Sequence, residues 1–249
     1  MTQKISIVLP AYNEERNISS TIASIADFFI AKQCPYEIIV VDDGSTDGTA
    51  EIIKELTKKF PEVRALTHTR NQGKGAAVRS GMNAACGDIV FFLDADGSTP
   101  IHEIEKLLPF FDTHQVVIGS RYLQDSSITI RQPRYRVAMG RFGNTLIQRV
   151  LLPGIKDTQC GCKGFRLHAA REIFSRQTIT GWGFDMEILA LAQVLGYAIK
   201  EVAVSWHDTR NRMSRFRPFK DAIKTLHELL TIKINLARGH YHLPPKEDL

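Results

Sequence analysis

Short runs of β-branched and aromatic residues recur along the first half of the chain, and each has the length of a buried strand. Stretches long enough for helices separate these runs. The runs lie at residues 4–9, 36–41, 63–67, 88–93 and 115–118. Strands that alternate with helices form a mostly parallel sheet covered on both faces. The pattern therefore predicts an α/β fold with a mostly parallel central sheet and helices on both faces.

Apolar residues at helical spacing follow the first two predicted strands. Ile18, Ile22 and Ile25 have this spacing after Asn13. A second set, at residues 50, 53 and 56, follows Asp47, which is a residue type favoured at the start of a helix. We expect a helix directly after each of these two strands.

The pattern is less regular beyond Ser120. The remaining predicted elements are a basic amphipathic helix at 134–152, strands at 164–167 and 198–204, and helices at 184–195 and 219–236. We expect the tail, residues 239–249, to be frayed.

Polar sequences follow three of the predicted strands at the point where each strand ends. PAYNE occupies residues 10–14, DDGSTD occupies residues 42–47, and DADGS occupies residues 94–98. Ligands of open α/β sheets bind beyond the carboxyl ends of the strands. We therefore expect these sequences to converge on one crevice.

Two carboxylates separated by one residue, Asp94 and Asp96, follow a buried run that ends at Leu93. Hard divalent cations prefer oxygen ligands, and Mg²⁺ typically takes one or two carboxylates together with substrate phosphates. One interpretation is a metal that bridges a diphosphate. The other is that the pair only caps a turn before Pro100, and the motif by itself fits both.

The second polar sequence offers a further carboxylate, Asp42, at a neighbouring strand end. Asp42 can accept hydrogen bonds from a base or a ribose, as an acidic residue does in dinucleotide-binding folds. For Ser45 and Asp47 we favour turn formation and helix capping.

Lys74 lies in a glycine-rich sequence, NQGKG at residues 71–75, that precedes a helix predicted from Ala76. Glycines let the backbone approach a ligand, a helix N-terminus favours anions, and the lysine adds a positive charge. The sequence lacks the glycine spacing and the Lys-Ser/Thr pair of a Walker loop. A phosphate-binding turn and a simple helix cap are both open interpretations.

The chain has 249 residues and a formal net charge of +5, and its basic residues are concentrated. Six basic and no acidic residues lie between 131 and 156, and six basic residues and one acidic residue lie between 210 and 224. We expect both segments to face something anionic. No apolar run reaches the roughly 18 residues of a spanning helix and no signal peptide is recognisable, which predicts a cytoplasmic location. The four cysteines lack zinc-ligand spacing, as expected of reduced thiols.

Five motifs occur in the order found in family 2 glycosyltransferases of the GT-A fold, which the chain resembles. They are IVLPAYNE (7–14), IVVDDGSTD (39–47), NQGKG (71–75), DADGS (94–98) and GSRY (119–122). DTQCG (157–161) and WGFDME (182–187) resemble the dolichyl-phosphate glucosyl- and mannosyltransferase branch, and the DGS in DADGS is closer to the glucosyl side. The resemblance covers roughly residues 4–220.

The resemblance implies a division of the chain and a role for each matching position. Residues 1–215 would form the GT-A domain, with a nucleotide-binding half at 1–122 and an acceptor half at 123–215, and residues 216–249 would form a C-terminal amphipathic helix and tail. The implied nucleotide-binding residues are Pro10, Ala11, Tyr12, Glu14, Asp42, Lys74, Asp94 and Ala95. The implied ligands for Mg²⁺ or Mn²⁺ are Asp94, Asp96 and Ser98, the last where the mannosyl branch has a glutamine.

The implied catalytic set adds three arginines to Asp94 and Asp96. Arg121, Arg136 and Arg215 fall near positions that handle the donor diphosphate and the acceptor phosphate. Arg134 is an alternative match for Arg136, and Arg215 replaces a lysine that is usual in that motif. The implied acceptor-side residues are Asp157, Gln159, Trp182 and Asp185.

The implied reaction is inverting transfer of a hexose, glucose from UDP-glucose before other donors, to a polyprenyl or dolichyl phosphate. A phosphate monoester with a second pKa of about 6 is largely ionised at neutral pH, so it requires no strong general base. Arginines interleaved with apolar residues in the two basic segments predict an anionic membrane surface as a further partner, on the cytoplasmic face. Packing of these segments on the domain core is the alternative.

Other activities fit parts of the pattern. They are a GDP-mannose-dependent polyprenyl-phosphate mannosyltransferase, a family 2 transferase with a non-lipid glycan acceptor, and a nucleotidyltransferase, which would release pyrophosphate. A nucleic-acid-binding module is disfavoured because the carboxylates at the strand ends would repel a phosphate backbone and no nucleic-acid motif is recognisable. We expect no nucleic acid partner.

Overall fold

A computed structural model of the chain describes residues 3–126, 143–207 and 218–242, with side chains from 224 onward in the last range. Arg134, Arg136 and Arg215 lie outside the described residues, as does part of the basic helix predicted at 134–152. Among the helices in these three ranges, none has the length and apolar character needed to cross a membrane.

Within the described residues, seven strands form one sheet. They are β1 (Ile5–Ala11), β2 (Tyr36–Asp42), β3 (Val63–Thr67), β4 (Ile89–Leu93), β5 (Val116–Ser120), β6 (Cys162–Arg166) and β7 (Ile199–Ala203). Their spatial order is β3-β2-β1-β4-β6-β5-β7. β6 runs antiparallel to β4 and β5, and the other neighbours are parallel. The prediction of a mostly parallel sheet is confirmed.

The strand predicted at 164–167 is displaced towards the N-terminus. It covers Cys162–Arg166, and Leu167 instead begins a helix. The amide of Leu167 donates to the carbonyl of Asp88, 3.1 Å away, at the end of the ladder with β4. The chain therefore leaves the sheet one residue earlier than the pattern predicts.

Helices lie on both faces of the sheet, as predicted. Their bounds are α1 (Ile18–Lys32), α2 (Thr49–Lys59), α3 (Lys74–Ala84), α4 (Ile104–Leu107), α5 (143–150), α6 (Leu167–Arg176), α7 (Phe184–Val194) and α8 (Pro218–Ala237). Short 3₁₀ turns, Ile101–Glu103 and Leu108–Asp112, flank α4, and a third, His240–His242, follows α8. The sequence pattern did not predict α6.

Alternate residues of the central strands enter two separate cores. Ile7 of β1 and Phe91 of β4 pack with α1, α2 and α4, whereas Val8 of β1 and Phe92 of β4 pack with α3, α6 and α7. α8 adds Leu229 and Ile232 to the second core. A strand buried on both faces reads as a continuous apolar run, which is why the pattern located these strands well.

The helices after β1 and β2 do not begin directly at the strand ends, contrary to the prediction. α1 begins at Ile18 and α2 at Thr49, so residues 12–17 and 43–48 are loops. Asp47 does serve the start of α2, because its carboxylate accepts a hydrogen bond from the Thr49 amide at 3.0 Å. α3 begins at Lys74, two residues before the predicted Ala76. These loops carry the polar sequences.

Candidate active site at the carboxyl edge of the sheet

The loops that follow β1 and β2 are tied to each other. Asn13 has a left-handed backbone with φ of 57°, which asparagine adopts more readily than most residues. Its amide donates to Ser45 Oγ at 3.0 Å, and its Oδ1 accepts from the Thr46 amide at 2.8 Å. The Asp43 amide donates to the Ala11 carbonyl at 2.8 Å. The two loops are thus held side by side, and Ser45 has the turn role that we favour for it.

Four of the predicted nucleotide-binding residues lie where the strands lead into this double loop. Ala11 pairs with Asp42 at the ends of the adjacent strands β1 and β2, one position beyond Pro10. The Asp42 carboxylate is buried, and its Oδ1 accepts from the Ser45 amide at 3.0 Å. Tyr12 is 45% exposed at the start of the loop, so its ring is accessible to a planar base. The structure brings these residues together.

Asp43 has a structural function that the sequence analysis did not assign. Its Oδ1 accepts from the Gln72 amide at 2.9 Å, and its Oδ2 accepts from the Gly73 amide at 2.8 Å. Oδ1 also lies 2.7 Å from His68 Nδ1, and His68 Nε2 lies 3.0 Å from Ser80 Oγ. Asp43 therefore fixes the glycine-rich loop immediately before α3.

Lys74, the first residue of α3, reaches the end of β4. Its Nζ lies 2.5 Å from Asp94 Oδ1 and over the ring of Trp182, 5.2 Å from the centroid. Burial lowers the pKa of Lys74, but the negative charges of Asp94 and Asp185 more than offset it, so this pKa is raised. A protonated lysine thus faces the carboxylate that the sequence predicts to hold a metal.

Asp94 is packed against the backbone of Gly161, the residue before β6. A methyl group at Gly161 would lie within 2.7 Å of both carboxylate oxygens of Asp94. β4 and β6 bring them together, since Leu93 pairs with Cys162. The sequence motif that contains Gly161 gives no sign of this role, because the contact with Asp94 depends on the antiparallel insertion of β6.

Further carboxylates surround this point. Burial raises the pKa of Glu14, and the charges of Asp96 and Asp94 raise it further, while a hydrogen bond from Asn17 opposes them. The net shift is upward, so these three acidic residues share one electrostatic environment. Ala95, between Asp94 and Asp96, is buried, and its carbonyl accepts from Thr21 Oγ1 at 2.8 Å. α1 therefore contacts the β4 loop at Ala95, and Glu14 of the first loop lies close enough to Asp94 and Asp96 for their charges to act on it.

Ser98 completes the tight turn after Asp96. The Ser98 amide donates to Asp96 Oδ1 at 2.9 Å, so the turn-capping interpretation also describes part of the geometry. The Ser98 hydroxyl is buried, and no side chain or backbone group within the described ranges gives it a hydrogen bond. In the same ranges no three His, Cys, Asp or Glu residues form a ready metal cage. Two carboxylates and a hydroxyl are oxygen donors of the kind that Mg²⁺ and Mn²⁺ take together with phosphate oxygens.

Arg121, just after β5, is held by Asp157. Nε and Nη2 of Arg121 donate to the two carboxylate oxygens at 2.8 and 3.0 Å. Burial lowers the pKa of Arg121, but the hydrogen bonds and charge of Asp157 raise it overall. Burial alone would raise the pKa of Asp157, but the hydrogen bonds and charge of Arg121 outweigh the effect of burial. The pKa of Asp157 is therefore lowered. Such a bidentate pair fixes the guanidinium plane. Gln159, two residues further on, is exposed.

Trp182 and Asp185 both interact with Lys74, but they differ in their exposure to solvent. Trp182 is 60% exposed, whereas Asp185, in the first turn of α7, is buried. Asp185 Oδ1 lies 2.5 Å from Nζ of Lys163, which is itself fully buried. Burial raises the pKa of Asp185 more than Lys163 and Lys74 lower it. Of these two predicted acceptor-side residues, Trp182 is the one that a bound molecule can reach.

Comparison with known proteins places this site in a family. The family model described as glycosyl transferase family 2 matches residues 6–174. The dolichyl-phosphate beta-glucosyltransferase of Mus musculus is 35% identical over 97% of this chain and 78% of its own length. That of Dictyostelium discoideum is 34% identical over 94% of this chain and 75% of its own length.

A solved structure shares the fold across most of the chain. It is glucosyl-3-phosphoglycerate synthase from Mycobacterium tuberculosis in complex with Mn²⁺, UDP and glucosyl-3-phosphoglycerate. It is 25% identical, with a TM-score of 0.66, over 92% of this chain and 80% of that one. The chain belongs to glycosyl transferase family 2 and has its GT-A fold.

Proposed function

We propose that this protein transfers glucose from UDP-glucose to a dolichyl or other polyprenyl phosphate, with inversion at the anomeric carbon. The observation that carries the proposal is the likeness to dolichyl-phosphate beta-glucosyltransferases, which extends over nearly the whole chain at up to 35% identity. The geometry supports it, because groups suited to a nucleoside, a diphosphate and a cation meet at one edge of the sheet.

The nucleoside lies on the double loop in this proposal. The Tyr12 ring stacks on the base, while Asp42, Glu14 and the backbone at Pro10 and Ala11 face the base and ribose. Asp42 is already oriented by the Ser45 amide, so ligand binding does not have to order it. Such preorganisation reduces the entropy lost on binding.

Asp94, Asp96 and the hydroxyl of Ser98 would hold Mg²⁺ or Mn²⁺. When bound, the metal neutralises charge on the diphosphate and supports its departure. Within the described residues the protein supplies few ligands, as is usual where phosphate oxygens complete the coordination. The relative from Mycobacterium tuberculosis that holds Mn²⁺ with UDP supports this choice of cofactor.

The cationic side chains bind and orient the two phosphate groups. Lys74 and Arg121 are the described members of this set, and Arg136 and Arg215 are proposed members outside the described residues. The acceptor oxygen is largely ionised at neutral pH, so the protein has only to align it with the anomeric carbon. Attack opposite the leaving diphosphate converts an α-linked donor into a β-linked lipid phosphate sugar.

On the acceptor side, Trp182 is the proposed contact of the incoming sugar or phosphate, because its exposed ring lies beside Lys74. Asp157 acts through Arg121, whose guanidinium it orients, and Gln159 lies exposed beside that pair. Asp185 acts through the charge of Lys74.

The test is transfer of radiolabel from UDP-glucose or GDP-mannose to polyprenyl phosphate with Mg²⁺ or Mn²⁺, in wild type and Asp96→Asn. Asparagine can still accept the Ser98 hydrogen bond at Oδ1, so the variant removes charge and keeps the turn. We expect lipid-extractable label from UDP-glucose and a loss of at least about 100-fold in the variant. Asp112→Asn, on a side chain 87% exposed, is the control and should match wild type.

Each other outcome has a definite meaning. Label from GDP-mannose alone would replace the donor and retain the lipid acceptor. Release of UDP without labelled lipid would refute the lipid acceptor, and release of pyrophosphate would indicate a nucleotidyltransferase. Full activity in Asp96→Asn would refute the metal site.

We also propose that α8 lies on an anionic membrane surface at the cytoplasmic face. Leu226, Leu230 and Ile234 are 47–48% exposed at four-residue spacing, on the side of the helix opposite buried Leu229 and Ile232. α8 is therefore apolar on two opposite sides. Exposed apolar stripes of this kind mark interaction surfaces.

Charge supports a lipid surface as the occupant of this stripe. Lys233 and Arg238 are exposed beside it, and the one acidic side chain in the described part of α8, Glu228, is buried on the inner side. Anionic lipid attracts each nearby basic residue by roughly 1 kcal/mol. The proposed acceptor is itself a lipid.

Co-sedimentation with phosphatidylcholine vesicles, with and without 30 mol% phosphatidylserine, tests this surface. We expect binding that requires phosphatidylserine and is lost in the triple serine variant of Leu226, Leu230 and Ile234. Ile30→Ser, which changes an even more exposed apolar residue on α1, should bind like wild type. Unchanged vesicle binding in the triple variant, or a dimer that the variant dissociates, would refute the lipid surface.

A further inference from the structure

Lys74 is paired with Asp94, one of the carboxylates proposed to hold the cation. Its Nζ is 2.5 Å from Asp94 Oδ1, and the two side chains are only 16% and 21% exposed. A carboxylate oxygen paired with an ammonium at this distance is a poor ligand for a divalent cation, because the two positive charges repel each other in a partly buried site.

The backbone at Lys74 is fixed. Asp43 binds the amides of Gln72 and Gly73 on one side of it, and the Gly75 amide donates to the Thr180 carbonyl at 2.8 Å on the other. Any adjustment at Lys74 therefore takes place in its side chain. This side chain has four rotatable bonds, and its ammonium lies over the ring of Trp182.

Asp94 has less freedom than Lys74. Its carboxylate lies against the backbone of Gly161, with too little space there for one methyl group. Movement of the carboxylate towards Gly161 is thus blocked, whereas the Lys74 side chain can rotate. A nucleoside diphosphate offers the ammonium an anionic partner away from Asp94, which relieves the repulsion between Lys74 and a cation at that carboxylate.

We propose that Lys74 makes metal binding depend on nucleotide binding: its ammonium competes with the divalent cation for Asp94, and the diphosphate ends the competition by taking the ammonium. The inference rests on the proposed function only in that the donor carries a nucleoside diphosphate. Linkage makes the effect reciprocal, so the metal strengthens diphosphate binding by the same factor. Lys74 thereby weakens metal binding at the carboxylates while no nucleotide is bound.

The experiment is titration of the full-length protein with Mn²⁺, with free Mn²⁺ followed by electron paramagnetic resonance, in the absence and presence of saturating UDP. Wild type should bind Mn²⁺ weakly alone and far more tightly with UDP. Lys74→Met keeps the apolar length of the side chain and removes the charge. We expect it to bind Mn²⁺ alone at least tenfold more tightly than wild type, and the gain on adding UDP should fall by a similar factor.

Lys74→Arg and Lys58→Met are the controls. Arginine keeps the positive charge and should retain weak binding of Mn²⁺ alone, and Lys58 is 64% exposed on α2, away from the site. Circular dichroism verifies folding, and Lys74→Gln replaces the methionine variant if that does not fold. Equal Mn²⁺ affinity in wild type and the neutral variants without UDP would overturn the proposal. No lipid acceptor is present, so failure of the proposed transfer reaction leaves this result unaffected.

Discussion

A single methyl group at Gly161 should disable the enzyme without removing any functional side chain. In Gly161→Ala the added carbon would lie within 2.7 Å of both oxygens of the Asp94 carboxylate. Unbonded heavy atoms separate to about 3.5 Å, so the carboxylate has to shift by roughly 1–1.5 Å. The shift changes the position of Asp94 relative to Lys74 and displaces it from the proposed metal position.

The expected size of the effect follows from this displacement. A misplacement of about 1 Å costs roughly 100-fold in rate. At about 1.36 kcal/mol for each factor of ten, this corresponds to about 2.7 kcal/mol of transition-state stabilisation. Overpacking lowers the free energy of unfolding by about 1–3 kcal/mol, which a domain with about 5–15 kcal/mol tolerates.

The assay compares kcat/KM for glucosyl transfer from UDP-glucose to polyprenyl phosphate, together with thermal unfolding followed by circular dichroism. Gly143→Ala is the matched control, because no atom of the residues that the structure describes lies within 4 Å of the methyl group that it adds. Its kcat/KM should equal that of wild type. If folded Gly161→Ala keeps kcat/KM within threefold of wild type, the position of Asp94 against Gly161 does not control catalysis and the reasoning is wrong.

Two further predictions concern groups remote from the reacting atoms. Burial raises the pKa of Glu37, but hydrogen bonds from Ser6 and Cys86 lower it from 4.5 to about 2, so its contribution to stability is complete above pH 4.5 and is lost as the pH falls towards 2. Glu37→Gln should lower the free energy of unfolding at pH 7 by up to about 3 kcal/mol, as measured by urea unfolding. The variant should also flatten the dependence of this free energy on pH between 5 and 2. A pH dependence equal to that of wild type in this range would contradict the prediction. Lys163→Met should cost about 3–5 kcal/mol because it leaves Asp185 buried without its partner, and the double variant Lys163→Met/Asp185→Leu should recover most of the loss. Equal urea midpoints for the single and double variants would argue against this pairing.

The sequence could predict the sheet and the edge at which the site lies. Buried strands appear as apolar runs, and the polar residues after them mark the carboxyl edge, so Asp42, Asp94 and Asp96 are candidates from their positions alone. β1 and β4 are adjacent and parallel, so the residues after them lie at the same edge of the sheet. The charge of Asp94 therefore acts on Glu14.

The insertion of β6 could not be predicted in the same way. Its residues include Lys163 and Gly164, and neither fits the apolar pattern of a buried strand. Lys163 is tolerated there because Asp185, twenty-two positions later, neutralises it from α7. Gly164 is required because a methyl group would collide with the rings of Phe91 and Phe111. Both reasons depend on neighbours that only the folded chain supplies.

The contact between Lys74 and Asp94 also depends on the folded chain. It is the outermost pair in a row of charged side chains at the site. Negative and positive charges alternate from the rim to the core, from Asp94 through Lys74 and Asp185 to Lys163. The inner pair is buried and fixed, with Lys163 also donating to the Cys160 carbonyl at 2.7 Å. A ligand can therefore exchange only the outer partners. Because the charge of Asp185 stays beside Lys74, the lysine remains protonated when a diphosphate replaces Asp94 as its partner, and the rearrangement at the site is confined to one side chain.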